Sequence, residues 1–474
     1  MSKLYVFGIG GTGSRVIRAL TMLLAAGSDC KADTIVPIII DPDDSAADMT
    51  RTVELMDNYR AVREKLSFSE VSKNRFFATE LMPVQGMVNY HLPLQNTRDC
   101  DFKGFIELNS MKKENQALVR MLFSEQNLKS DMKVGFKGNP NIGSVVLNQF
   151  ADSQAYRSFA NGFDQNDRIF IISSIFGGTG ASGFPLLLKT LRNDRNSQRW
   201  NFISQAKIGA ATILPYFDVT QDDNSGVDSA TFISKTKSAL SYYERNISGS
   251  VDALYYLGDT KRNAYENHDG GSKQRNKAHF VELAAALSIL NFAAKDDTEF
   301  SDSTLHYEYG LDTNDENINS IIFDNLGDES KARAMRPFTQ LLLMYKYLTR
   351  SRESQYKHQP WAIDNGLDKN FFTEDFYKKL LRVLDEYKNW LNEMADNVRS
   401  FQPFNVNSKT PLFDLVAGID ERKNNPFLQN YAAVDNVLNK GKNYGDKAAC
   451  KEQKLMEMFY RTTKEMVLNK LNIK

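Results

Sequence analysis

Two glycine-rich turns, each set between a β-type apolar run and a helical pattern, constrain this chain more than anything else in its 474 residues. The first is Gly8-Ile9-Gly10-Gly11-Thr12-Gly13-Ser14, which follows the apolar run 4–7 and opens a helical pattern over 14–26. The second is Phe176-Gly177-Gly178-Thr179-Gly180-Ala181-Ser182-Gly183, which follows the run 168–173 and opens a helix through Leu191. Glycine at such a turn lets backbone N–H groups approach an anion closely, and a helix N-terminus favours negative charge, so phosphate is the natural ligand. One such turn also suits a dinucleotide fold or a tight turn without a ligand. Two in one α/β domain make a two-sided phosphate cradle.

The rest of the first half supports that architecture. Residues 35–40, 208–214 and 253–257 are further strand candidates, and 229–246 is a helical stretch between the last two. Strands alternating with helices predict a Rossmann-like, mostly parallel sheet covered on both faces. Residues 277–294 are apolar nearly all the way round, which predicts a buried central helix. Residues 263–276 read as a polar loop. Beyond about residue 300 strand patterns fade, and helical patterns over 332–348, 373–398 and 450–471 predict a mainly helical C-terminal domain over 301–474.

Composition narrows the function. Lys+Arg and Asp+Glu are equal at 59 each, so charge indicates no nucleic acid and no membrane surface as partner. No apolar run reaches the roughly 18 residues of a membrane span, and no signal-peptide pattern opens the chain. Cys30, Cys100 and Cys450 are few and far apart, which fits a reducing, cytoplasmic setting. The five histidines pair with no cysteine at zinc-ligand spacing.

The stretch DRIFIISSIFGGTGASGFP resembles the phosphate-loop signature of the tubulin/FtsZ superfamily, with Phe176 where that family has its first glycine. Other pieces follow in family order over roughly residues 3–300. Residues 8–14 resemble the first phosphate loop, and Asp41-Pro42-Asp43 the turn after the second strand. Lys137-Gly138-Asn139-Pro140-Asn141-Ile142-Gly143 resembles the glycine loop near the γ-phosphate, and residues 277–294 the long central helix. The resemblance implies a GTP- or GDP-binding domain over residues 1–300 that hydrolyses GTP slowly and self-associates head to tail into filaments. It assigns the phosphates to Gly10, Gly11, Thr12, Gly13, Ser14, Gly138, Asn139, Gly177, Gly178, Thr179, Gly180, Ala181 and Ser182. Asp43 helps to hold Mg²⁺, and Asp259 takes the base-contacting position. A side chain at Gly180 is expected to occupy the phosphate position without unfolding the protein.

Departures from the family pattern shape the remaining expectations. The second base contact, on the central helix, falls near Ala284, which has no polar group; Glu282 reads as a helix-start acid on a solvated edge. The candidates for the hydrolytic acids after the central helix are Asp296 and Asp297, with Glu299 beside them, in a loop that lacks the family's Asn-x-Asp pattern and also reads as a plain acidic loop. Residues 44–132 read as an insertion, helical in part. Two alternatives stay open. One is an adenylating enzyme that uses ATP, since such enzymes open with a similar glycine loop. The other is a non-catalytic nucleotide-binding scaffold or switch.

Overall fold

In the computed structural model, seven strands form one sheet in the order β3-β2-β1-β4-β5-β7-β9, every neighbouring pair parallel. The strands are β1 (Lys3–Ile9), β2 (Thr34–Ile40), β3 (Glu80–Leu81), β4 (Arg168–Ser174), β5 (Ile208–Ile213), β7 (Ala253–Leu257) and β9 (Leu305–Tyr309). Two short strands, β6 (Phe217–Val219) and β8 (Asn263–Tyr265), pair with each other beside it. The structure describes residues 2–473 apart from 44, 70–71, 98, 137, 194, 196–198, 220–228, 261–262, 266–270, 272–274, 310–317, 350–357, 406–414, 419–430, 442–449, 470 and 472. Lys137, one of the residues in the expected γ-phosphate loop, lies outside the described residues.

The inner strands are continuous apolar runs because helices cover both faces, as a parallel sheet requires. β2 is Thr-Ile-Val-Pro-Ile-Ile-Ile and is buried along its whole length. Helix α1 (Gly10–Ala25) connects β1 to β2, and α2 (Ala47–Arg63) packs on α1 and leads toward β3. On the other side of β1, α3 (Pro140–Val146) precedes β4, α4 (Gly178–Asn193) follows it, and α5 (Ser229–Asn246) leads to β7. The central helix α6 (Phe280–Ala294) follows β8 and packs on α1, β5 and β7. Its side chains are buried on nearly every face, as its composition predicts.

Two expectations change. Residues 44–132 are not simply an insertion, because they hold the crossover helix α2 and the edge strand β3. A two-residue strand is too short to leave a period in the sequence. The sheet also runs past residue 300, since β9 pairs with β7 from Ala253↔Leu305 to Leu257↔Tyr309. Its sequence, Leu-His-Tyr-Glu-Tyr, is an edge strand's, with polar residues interleaved.

After β9 the chain is mainly helical. Strands β10 (Ser320–Ile321) and β11 (Ser400–Phe401) make one small parallel pair. Helices α7 (Asp328–Leu348), α8 (Asp375–Ala395), α9 (Tyr431–Lys440) and α10 (Lys451–Asn469) pack on one another around Phe338, Tyr347, Trp361, Tyr387, Trp390 and Phe459. In α8 the apolar residues recur at helical spacing, and the same face buries Phe376, Leu380, Leu384, Tyr387 and Leu391. Helix α8 lies against α2, and Glu457 of α10 accepts hydrogen bonds from Ser72 Oγ and the N–H groups of Lys73 and Asn74. The helical region is therefore fastened to the sheet domain. No described helix is long and apolar enough to cross a membrane.

Candidate functional site

The chain leaves β1 in one direction, to β2 and β3, then returns to β4 on the other side of β1 and continues outward. The switch point of this sheet lies between β1 and β4, which is where open parallel sheets bind ligands, beyond the carboxyl ends of the strands. The two glycine turns occupy that place. Ile9 and Ser173 are in register, so the turns leave the sheet at the same height.

The glycines divide by role. A Cβ on Gly8 or Gly13 would meet the other residue's backbone at 2.9 Å or less, so this pair sets the close packing of α1 on β1. Gly10 has φ +73°, a backbone conformation that favours glycine, and a Cβ there would come within 3.5 Å of Thr179 Cβ and 3.9 Å of Gly180 N. The two turns thus face each other across Gly10, Thr179 and Gly180. A Cβ on Gly178 would meet Asn139 N at 3.0 Å and Gly138 N at 3.2 Å, which brings the third loop against the second. The N-termini of α1 and α4 converge on this place, with that of the short α3 beside them. Gly180 differs from its expected role: a Cβ there would lie 2.5 Å from Ser174 O, so a side chain strikes the end of β4, and substitution distorts the turn itself. Ser14 is buried and donates to Gly10 O, and Ser182 Oγ donates to Gly178 O, so both hydroxyls brace their own turns.

Beside the first turn lies a buried ionic network. Arg15 Nε donates to Glu282 Oε1 at 2.6 Å, Nη1 to Asp48 Oδ2 at 2.6 Å, and Nη2 to Tyr216 OH at 2.7 Å and Thr12 Oγ1 at 3.2 Å. Tyr216 OH in turn donates to Glu282 Oε1 at 2.7 Å. Burial alone would lower the pKa of Arg15, but Tyr216, Glu282 and Asp48 more than offset it and hold the guanidinium well above its usual range. Burial pushes Glu282 upward, whereas Arg15, Tyr216 and the His279 N–H all favour its charged form. With these donors in place and a fixed cation at 2.6 Å, the carboxylate is the ionised partner. Glu282 is thus fully buried and closes a capping box with His279 at the start of α6; it is not on a solvated edge. An acid in the first turn of an apolar helix normally points to water, and only the buried arginine of another helix reverses that.

The network continues away from the turns. Asp48 also binds Arg51, and Arg51 binds Glu393 of α8. Glu393 accepts from Arg18 Nη1 and from Ala278 N. His279, N-cap of α6, accepts from Val281 N–H at Nδ1, which puts the neutral ring's proton on Nε2. Nε2 has no hydrogen-bond partner among the described residues, and burial pushes this histidine down to about 4.

The remaining expected site residues sit apart. Asp259 is buried and paired with Arg399 at 2.8 Å. Ala284 is buried and apolar, as expected. Asp43 is buried and accepts from Ser45 N, Ser45 Oγ and Gly271 N. No group of three or more His, Cys, Asp or Glu among the described residues could hold a metal ion. The described residues therefore do not build a Mg²⁺ site by themselves. Neighbouring Asp41 is pushed up to about 7 by burial. Asp296 and Asp297 are exposed, and Asp297 pairs at 2.8 Å with Arg168, the first residue of the central strand β4, so these acids lie by the amino ends of the strands, opposite the glycine turns. Helix α6 has 15 residues and spans about 22 Å from the network to these acids. One copy of the chain cannot bring Asp296 or Asp297 to its own cradle.

Sequence reasoning missed Arg15, Asp48 and Arg399. Only Arg15, the residue directly after the first glycine motif, carried a signal that could have found it.

No protein-family profile matches the chain. No curated protein matches it either. Among solved structures, it is similar to CetZ1 from Haloferax volcanii, a GDP-bound monomer, with 14% identity and a TM-score of 0.31, over 63% of this chain and 62% of that one. It is similar to CetZ2 from Haloferax volcanii, a GTPγS-bound protofilament, with 15% identity and a TM-score of 0.31, over 64% of each chain. It is also similar to an empty FtsZ dimer from M. jannaschii, with 14% identity and a TM-score of 0.26, over 54% of this chain and 45% of that one. The match thus spans less than two-thirds of those chains. The functional reading rests on this chain's own geometry.

Proposed function

We propose that the chain binds a guanine nucleotide, with its phosphates between the turn at Gly10 and the turn at Gly177, Gly178 and Thr179, and hydrolyses GTP slowly on self-association. The observation that carries the reading is the meeting of two glycine-rich turns, each opening a helix, at the switch point of a parallel sheet. Backbone N–H groups and helix dipoles directed at one point suit a polyphosphate better than any other common ligand. Gly138 and Asn139 border the second turn and take the γ-phosphate end. Ser14, Ala181 and Ser182 support the turns and make no direct contact of their own. Mg²⁺ would ride on the nucleotide's phosphates, since no protein-built site accompanies them among the described residues.

Hydrolysis on this reading is shared between copies. The cradle lies beyond the carboxyl ends of the strands and the acids Asp296 and Asp297 by their amino ends, so an acid reaches a nucleotide only across a head-to-tail contact. Such a contact repeats into a filament unless its rotation closes into a ring. The decisive experiment is identification by mass of the nucleotide that co-purifies with the protein, followed by GTP turnover over a wide range of protein concentration. Guanine nucleotide together with turnover per molecule that rises with concentration is the expected result. ATP bound with release of pyrophosphate would replace the reading by an adenylating one. The pairing of Asp297 with Arg168 favours one rival, a non-catalytic scaffold, which predicts bound nucleotide without phosphate release at any concentration.

A further inference from the structure

Three loops stand in a row at the switch point. Gly10 of the first turn faces Thr179 and Gly180 of the second, and Gly178 of the second faces Gly138 and Asn139 of the third. A phosphate chain that crosses the row from the first turn meets the third loop last. A diphosphate and a triphosphate therefore differ most in what they ask of this loop. The third loop is a tight turn over residues 136–139, closed by Asn139 N–H donating to Phe136 O at 2.8 Å. Gly138 has φ +71°, a conformation that glycine adopts readily and other residues resist. One side of the turn is fixed by packing: a Cβ on Gly178 would lie 3.1 Å from Phe136 Cβ, and a Cβ on Gly143 would come within 3.0 Å of Gly178 O. A lysine from another element reaches the turn as well. Lys235, half-buried in α5, donates from Nζ to Gly138 O at 2.7 Å, although the two residues are 97 positions apart in the chain.

We propose, on the reading that the cradle holds a guanine nucleotide, that Lys235 is a positioning residue that sets the preference for GTP over GDP. It acts through Gly138 and not on the phosphate. A carbonyl oxygen carries partial negative charge and repels a phosphate that it faces. The ammonium draws Gly138 O toward α5 and holds it there by a charge-assisted hydrogen bond, stronger than a neutral one. The peptide on either side of Gly138 is thereby kept in one orientation against the second turn. The two glycine turns that take the inner phosphates do not include this bond. Its loss should register where the third loop is needed, at the γ-phosphate, and leave diphosphate binding as it was.

Calorimetric titration of the full chain with GDP and with the β,γ-imido analogue of GTP tests this. Lys235→Met should weaken the analogue about tenfold, change GDP less than about twofold, and leave the melting curve in place. Gly138→Ala strains the same turn at φ +71° and should also weaken the analogue selectively. Because Lys235 acts through Gly138, adding Lys235→Met to Gly138→Ala should weaken the analogue less than about twofold further. Lys189→Met, at an exposed position of α4, should alter neither affinity. Equal loss of both nucleotides in Lys235→Met, loss of neither, or full additivity with Gly138→Ala would each overturn the proposal alone, provided the parent binds both nucleotides. A parent that binds neither would overturn the nucleotide reading and this proposal with it, so the two failures are told apart by the parent's own titration.

Discussion

The two ends of α6 are built from similar residues and have opposite fates. At its start, Glu282 is fully buried, bonded to Arg15 and Tyr216, and joined through Asp48, Arg51 and Glu393 to the helical region. At its end, Asp297 is exposed and makes one ion pair with Arg168. Burial makes the first end a structural joint, where removing one partner strands a charge in low dielectric. Exposure makes the second end a surface, where water compensates for whatever is lost. One helix thus ties the start of α1 to the helical region at one end and leaves exposed acids at the other.

The largest expected effect comes from breaking the buried end. Glu282→Ala takes from the buried Arg15 one of the two carboxylates held at 2.6 Å and should cost about 3–5 kcal/mol of stability. Replacing both residues, Arg15→Met with Glu282→Leu, should cost much less than the sum of the single changes. Urea unfolding of the three variants checks this. Strictly additive costs would mean that the two residues act independently.

A second test uses pH. His279 is held at about 4 by burial against an unfolded value near 6.5. Between those values the unfolded chain binds a proton that the native ring refuses. Stability from this group is thus fully present above pH 6.5 and is lost as pH falls toward 4. The loss is on the order of 3 kcal/mol. His279→Asn keeps an N-cap acceptor for α6 but does not titrate, so its unfolding free energy should fall less steeply over that window. Parallel profiles for parent and variant would mean that the ring ionises freely in the native state.

How far the sequence was legible follows the same division. The strands of the inner sheet, the buried α6 and helices α7, α8 and α10 could be read because their periods are long and regular. The run 253–257 and the helix 229–246 match their observed bounds. Strands β3 and β9 were not legible, one being two residues long and the other carrying an edge strand's mixed pattern. At the site, glycine spacing located both turns, because a close backbone approach tolerates few other residues. The ionic network was invisible, since its members come from α1, α2, α6, α8 and the β5–β6 connection. Nothing local marks a glutamate as destined for an arginine 267 residues away.

An intermediate effect is expected where the helical region reaches the sheet domain. Arg399→Ala leaves the buried Asp259 without its guanidinium and should cost about 2–4 kcal/mol. It also frees the carboxylate that the sequence resemblance assigns to the base. If Asp259 selects guanine on release, the variant should bind GDP more tightly relative to ADP than the parent does, read in competition calorimetry. An unchanged ratio would remove Asp259 from base selection and leave it a purely structural partner of Arg399.

The smallest effect on stability, and the sharpest on function, is expected at the exposed end. Replacing both Asp296 and Asp297 by Ala removes one solvated ion pair with Arg168, worth about 0–1 kcal/mol, so the melting curve should barely move. Nucleotide binding should also be intact, since the proposed cradle lies beyond the carboxyl ends of the strands, opposite these acids. Turnover is different if the site is shared, because each copy then lends its acids to a neighbour. The double variant should bind GTP and assemble but release phosphate at a small fraction of the parental rate. Mixing it with a cradle-defective variant separates shared from internal catalysis. Gly10→Val places a branched side chain at φ +73°, facing Thr179, and should abolish binding while its own acids stay in place. Each variant alone is then inactive, but the mixture presents intact cradles to intact acids and should recover turnover. A mixture as inactive as its components would assign hydrolysis to groups within one copy, and Asp296 and Asp297 would be an ordinary acidic loop.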